Sequence, residues 1–420
     1  MSLLLCLIPV SCPLSLRSFA ARLSASASAL VEVDGALEAA LLATQAKQPY
    51  LKVCVDTEKL CFKLSECIPL SFETIDTDAD ENVRDVGQEQ LAIGVDRSQT
   101  FARVHVVKCA SHVRLVMLCD HLALDAKSLG LWLHHLLASL EGCAGGAEGA
   151  EVSNIDPPLP FVDWVSRIPK EITLPPFTGV DSAMLKVKTV APEDLASAPP
   201  VLGYIKSLDK STFVSLKNIT KAKGTTLNAP LMTAFFAAVL DVARMQDPDL
   251  KLPLSIRSVC AVDLRSRLTP PLASDYMNNS ASVVPAATTF EAGADLWDCA
   301  QRTQEATLHS ISTGEGFRLH DITTRAAYAE MGPIFAIPCL WSNVGHVASP
   351  NGSVESAEVL IGGVGSNHVV SGHCSEAGGV MALTVSYSPA FLELSTAIAI
   401  SEHFFRHVSA LATGKSCPYM

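Results

Sequence analysis

The chain has 420 residues, 49% of them hydrophobic and 18% charged, which is enough apolar material for a large core and too much for a mainly disordered polymer. Its 31 Lys and Arg against 43 Asp and Glu give a formal net charge of −12, which repels phosphate backbones and anionic membrane surfaces and excludes nucleic acid as an expected partner. No apolar run approaches the ~20 residues that span a bilayer, so no membrane span is expected and the chain reads as a soluble protein, most simply a two-lobed one.

At the start, Arg17, Arg22, many Ser and Ala, and the lack of any acid before Glu32 fit an organelle transit peptide, and LLLCLIPV has the length of a short signal core. The favoured reading makes SFAARLSA the first strand of the domain and the protein cytoplasmic. Asp34-Gly35 then opens a helix through ALEAALLATQAKQ, stopped before Pro49, and LKVCV reads as a strand. The acidic run Thr74 to Asp85 reads as a solvated loop. FARVHVVKC and VRLVMLC are two β-rich runs, the second nearly continuous in apolar residues and so a central strand.

After Asp125 the apolar residues Leu129, Trp132, Leu133, Leu136, Leu137 and Leu140 share one helical face, with Asp125 at the N-cap. Glu141 to Pro160 lacks periodicity and opens a linker. Beyond it come a buried helix from Asn228, strands at LPLSIRSVCAVDL, IFAIPCLWSNV and VMALTVSY, and a final helix STAIAISEHFFRHVSALA. There is no internal repeat. The fold class is therefore mixed α/β, divided into an N-terminal lobe 1–165, a linker 166–200 and a C-terminal lobe 201–420.

Thirteen cysteines, an odd number spread from Cys6 to Cys417, fit a reducing compartment better than a disulfide scaffold. Cys109, His112, Cys119 and His121 lie close in sequence, but their spacing matches no zinc pattern and the segment alternates like a strand, so no metal is expected. His134 and His135 fall off the apolar stripe of their helix and read as surface imidazoles, while His368 and His373 fall in a Gly/Ser-rich loop. There is no Gly-x-Ser-x-Gly elbow and no Gly-rich phosphate loop, which sets aside hydrolase and nucleotide-binding readings.

The informative segment is VRLVMLCDHLALDAKSLGLW. His121 follows directly on the buried strand, and a neutral imidazole, with a reference pKa near ~6.5, can accept a proton from a hydroxyl, amine or thiol. Asp125, four residues on, can cap the helix amides or pair with a distant arginine. Taken alone, His-x-x-x-Asp is also what a capping Asp beside an ordinary histidine looks like. Order along the chain decides: CDHLALDAKS, then VCAVDLRSRL followed by NNSASVV, then CLWSNVGHV.

With these motifs in this order, and with a strand, helix and strand at its start, the chain resembles the condensation-domain and chloramphenicol-acetyltransferase-like acyltransferases, most of all their stand-alone alcohol acetyltransferase branch. The resemblance implies two α/β lobes, each a mixed sheet with flanking helices, meeting at a central tunnel. It implies His121 as general base and Asp125 as its structural companion, paired with an arginine from the other half: Arg265 before Arg257 and Arg267. Ser342 and Asn343 are the implied donors near the reacting carbonyl, although Ser342, Asn343 and Gly345 also make an ordinary strand-end turn. The implied reaction moves an acetyl or longer acyl group from acyl-CoA to an alcohol or amine with no acyl-enzyme and no permanently bound cofactor. The alternatives are a donor thioester on an acyl carrier protein, or a non-catalytic binding module.

Two departures stand out. Asp120 precedes His121 where the family often has a second histidine, and the plant branch's Asp-Phe-Gly-Trp-Gly motif is absent. Lys217, Lys221 and Lys223 are conceivable ligands for coenzyme A phosphates but read as a solvated lysine face.

Overall fold

Two mixed β-sheets with helices on their faces organise the chain. The computed structural model describes residues 16–23, 33–56, 61–65, 67–75, 80–110, 112–121, 123–144, 167–168, 185–188, 190, 201–317, 337–347, 354–362 and 368–419. The expectations for residues 1–15 and for most of the linker therefore lie outside the described residues.

The first half gives β1 (Leu16–Leu23), α1 (Val33–Lys47), β2 (Val53–Asp56), β3 (Cys61–Leu64), β4 (Leu70–Thr74), α2 (Asp80–Ile93), β5 (Ala102–Lys108), β6 (Val113–Asp120) and α3 (Ala126–Ala144). β6 lies between β1 and β5 and is buried at every position, as a strand covered on both faces must be. On one face of its sheet α1 and α3 pack with Leu129, Trp132, Leu133 and Leu136 inward. α1 begins at Val33, so Asp34 sits inside its first turn and not before it.

Two expectations are corrected here. Half of the acidic run belongs to α2, because Val86 and Leu91 supply an inward face that packs on Val107, Val116 and Leu118, while Asp85 and Glu89 lie on the exposed side. α3 continues through Ala144, past the expected break at Glu141.

The second half gives β7 (Leu202–Leu208), α4 (Lys210–Ala222), α5 (Asn228–Gln246), β8 (Leu254–Asp263), β9 (Ala281–Phe290), α6 (Leu296–Ser312), β10 (Ile337–His346), β11 (Val354–Gly362), β12 (His368–Ala377), β13 (Val380–Tyr387) and α7 (Leu394–Leu411). Asp209 and Asp295 cap α4 and α6, accepting from the Thr212 and Trp297 N–H groups. α5 is apolar nearly all round because it lies between the sheet and the helices α6 and α7. This sheet runs β7-β13-β12-β10-β8-β9.

β11 does not join it. It pairs antiparallel with β1, Leu16 opposite Gly362 through Leu23 opposite Val354, and completes the first sheet as β11-β1-β6-β5-β4. Ser375 on β12 donates to the Ala357 carbonyl at 2.6 Å, fastening the two sheets where the chain crosses.

The reading of His368 and His373 as loop residues is also corrected, since both lie on β12 and His373 is fully buried, hydrogen-bonded to Ser371 at 2.8 Å. The glycine that suggested a loop has another cause: a Cβ on Gly372 would stand 2.6 Å from the Phe235 ring of α5, so the position admits only hydrogen. Among the described residues no helix is long and apolar enough to cross a membrane.

Candidate active site

His121 is the first residue after β6, half-buried, at the turn into α3. The turn is fixed by Ala123 and Leu124 N–H groups donating to the Asp120 carbonyl at 3.0 and 3.2 Å. Asn279, just before β9, donates its side-chain amide to the His121 carbonyl at 2.5 Å. The histidine is thus held by main chain from its own strand and by a side chain 158 residues away.

Asp125 has no freedom left. Its Oδ1 accepts from the Ser128 N–H at 2.8 Å, the N-cap bond of α3, and from Arg265 Nη2 at 3.1 Å. Its Oδ2 accepts from Arg265 Nη1 at 2.8 Å and from the Ser280 N–H at 3.0 Å. Burial alone would raise this carboxyl's pKa, but the Arg265 charge, its hydrogen bonds and the two backbone N–H groups outweigh burial and hold the pKa below the ordinary aspartate value.

Arg265 is 1% exposed and donates through every nitrogen: Nε to the Tyr276 carbonyl, Nη1 also to Asp263, and Nη2 also to Ser128 Oγ and the Asn278 carbonyl. Of the three arginines considered from sequence, Arg265 makes the pair with Asp125, Arg267 is exposed, and the Arg257 side chain lies outside the described residues. The closed set of bonds around Arg265 makes it a tie between the α3 turn and the segment before β9.

Asp120, the departure from the family pattern, faces Arg97 in an ion pair. Ser342 is buried on β10 opposite His373. Asn343 Oδ1 accepts the Gly345 N–H at 2.8 Å, and Gly345 takes φ 81° where the β10–β12 register shifts, so the strand-end turn is present as a bulge. Val344 and Val347 pack in the same core as Ala123, Leu124 and Met277.

The four residues weighed as metal ligands do not meet. Cys109 and His112 close the β5–β6 turn, whereas Cys119 and His121 stand at the far end of an eight-residue strand, roughly 25 Å away at the usual rise. Lys217 stands exposed over the Phe213 ring, and Lys221 and Lys223 are exposed with it, as a lysine face requires. His134 and His135 are half-buried, deeper than expected, and burial followed by the His134 charge lowers the His135 pKa. Burial raises the Cys260 and Cys339 thiols to about 11 and about 12, the state of core side chains and not of nucleophiles.

Sequence reasoning missed Ser128, Asn278, Asn279 and Ser280 as parts of the site. The available signal was the NNS run itself, three polar residues leading into a β-rich segment, of which Asn278 and Ser280 are buried.

Residues 206–351, about a third of the chain, match the family model described as phthiocerol/phthiodiolone dimycocerosyl transferase C-terminus. No curated protein matches the chain by sequence. Solved structures match over almost the whole length at low identity. Polyketide synthase associated protein 5 from Mycobacterium tuberculosis is 15% identical with a TM-score of 0.66, over 95% of this chain and 94% of its own. The TRI3 trichothecene 15-O-acetyltransferase from Fusarium sporotrichioides is 14% identical with a TM-score of 0.66, over 95% and 92%. The first condensation domain of the calcium-dependent antibiotic synthetase is 11% identical with a TM-score of 0.70, over 96% and 92%.

Proposed function

The chain carries the two-lobed α/β fold of the condensation-domain and chloramphenicol-acetyltransferase-like acyltransferases, and from that premise we propose that it is an acyltransferase moving an acyl group from a thioester to an alcohol or amine. One observation carries the reading: the turn that presents His121 is locked to the second half of the chain by the buried Asp125–Arg265 pair and by Asn279. Ordinary capping needs only the Ser128 N–H. A closed network of this size serves to hold one imidazole in place.

In the proposed reaction the neutral His121 takes the proton of the acceptor hydroxyl or amine as its oxygen or nitrogen attacks the thioester carbonyl. The carbon–sulfur bond then breaks, and the imidazolium returns the proton to the leaving thiolate. No acyl-enzyme forms. Ser342 and the Asn343 amide are the proposed donors to the developing oxyanion, delivered by the end of β10. Asp125 and Arg265 position the turn and transfer no proton.

Coenzyme A is the proposed thiol carrier, since the TRI3 relative is by name an acetyltransferase and the site needs nothing beyond a thioester and an acceptor. Condensation domains among the structural relatives favour a second donor, a thioester on a carrier protein. Thiol release measured with a panel of acyl-CoA donors, with and without pooled alcohols and amines, tests the first reading. Acceptor-dependent release is expected. Silence from folded protein, with acceptor acylation from a loaded carrier protein, would overturn the coenzyme A assignment in favour of the second.

A further inference from the structure

The last helix contains His403-Phe404-Phe405-Arg406-His407, two histidines one turn apart on the same face of α7. Asp241 of the packed helix α5 meets both: His403 Nδ1 lies 2.7 Å and His407 Nε2 2.8 Å from a single oxygen, Oδ2. The three side chains are 14–19% exposed and line a cavity of about 540 Å³, together with Arg244, Arg406 and Tyr419. Tyr419 is itself 2% exposed, and its hydroxyl faces Asp241 and Arg244.

We propose that Asp241, His403 and His407 form a binding site for a divalent transition-metal ion of the zinc class, with its fourth position open to the cavity. Two imidazole nitrogens and one carboxylate oxygen are a borderline donor set that suits zinc and is unlike the all-oxygen cages of calcium or magnesium. The ligand atoms all lie within 4.8 Å of one another. Tetrahedral coordination at the usual bond lengths needs ligand atoms roughly 3.3 Å apart, so the two N···O contacts have only to open by about half an ångström.

The carboxylate is ready for a cation. Asp241 is already a carboxylate: burial opposes ionisation, but the two histidine hydrogen bonds prevail and bring its pKa to about 2. Each histidine turns one ring nitrogen onto the Asp241 carboxylate. To bind metal, His403 Nδ1 and His407 Nε2 must each be free of a proton, so metal and protons compete for these two nitrogens. Arg244 and Arg406 repel a bare dication. They favour hydroxide or a small anion in the fourth position, and the Tyr419 hydroxyl stands behind the Asp241 carboxylate.

The residues lie outside the His121 network, and the ion would clamp α5 to α7 without entering the acyl-transfer chemistry. This departs from the absence of metal expected from sequence, where only the cysteine-containing cluster was weighed. The signal was the i, i+4 histidine pair in the last helix; its carboxylate partner, 162 residues upstream, is supplied by the fold.

The test is a Co²⁺ titration of tag-free, metal-depleted full chain, followed by its visible absorption and back-titrated with Zn²⁺. One equivalent of four-coordinate Co²⁺, displaced by Zn²⁺, is expected for the wild type. Asp241→Asn and His407→Gln, each checked for native circular dichroism, should weaken uptake at least about tenfold. Absence of saturable uptake by the wild type would overturn the proposal. So would uptake unchanged in the folded variants, or a spectrum dominated by thiolate charge transfer.

Discussion

Asp125 and Arg265 are both almost wholly withdrawn from water, and a carboxylate at that depth stays ionised only while its charge is matched and its lone pairs are filled. Removing one partner leaves the other buried and unmatched. Arg265→Ala is therefore expected to cost about 3–5 kcal/mol of unfolding free energy, measured by urea denaturation, and to reduce turnover through the loosened His121 turn. Asp125→Asn probes the same pair by pH. The folded-state pKa of Asp125 is depressed, so its stabilisation is present above the unfolded value of about 3.9 and is lost as pH falls through the folded value. The stability gap between wild type and Asp125→Asn should stay level at neutral pH and shrink below roughly pH 4; a gap that widens in acid would contradict the pairing. His121 and Asp125 are legible in the sequence because they sit within one turn of chain. Their supports are not: Arg265 is 140 residues away and Asn279 is 158 residues from His121, contacts that only the fold creates.

At the scale of elements, the strands and helices with strong periodicity are where the sequence puts them: β6, α3, β13 and α7. Errors arose where a local cue had a tertiary cause. The glycine in SGHCS suggested a loop, yet Gly372 lies mid-strand because the Phe235 ring occupies the space of a side chain. Gly372→Ala should destabilise by about 1–3 kcal/mol in urea denaturation, and by less in a Phe235→Leu background, since the smaller residue relieves the overlap. Equal costs in both backgrounds would show that the contact is not the reason. Likewise the second half of the acidic run is helical because two inward apolar residues, Val86 and Leu91, are enough to bind α2 to the sheet.

For the whole molecule, β11 is the decisive connection, because a segment from the second half completes the sheet of the first. A boundary drawn from composition alone has no means of seeing this exchange, which depends on pairing between residues more than 300 positions apart. The two sheets should unfold together. Trp132 reports the first core and Trp297 and Trp341 the second, so single-tryptophan variants should give coincident urea transitions. Separate midpoints would mean that the β1–β11 seam contributes little.

The proposed chemistry rests on His121 as base, and the most direct test compares acceptor-dependent thiol release by the wild type and by His121→Ala under saturating donor. The expected fall is on the order of 10²- to 10⁴-fold at an unchanged unfolding midpoint, because the bonds that fix the turn use the His121 and Asp120 carbonyls, which the substitution keeps. Undiminished release by a folded His121→Ala protein would contradict the assignment of His121 as the catalytic base.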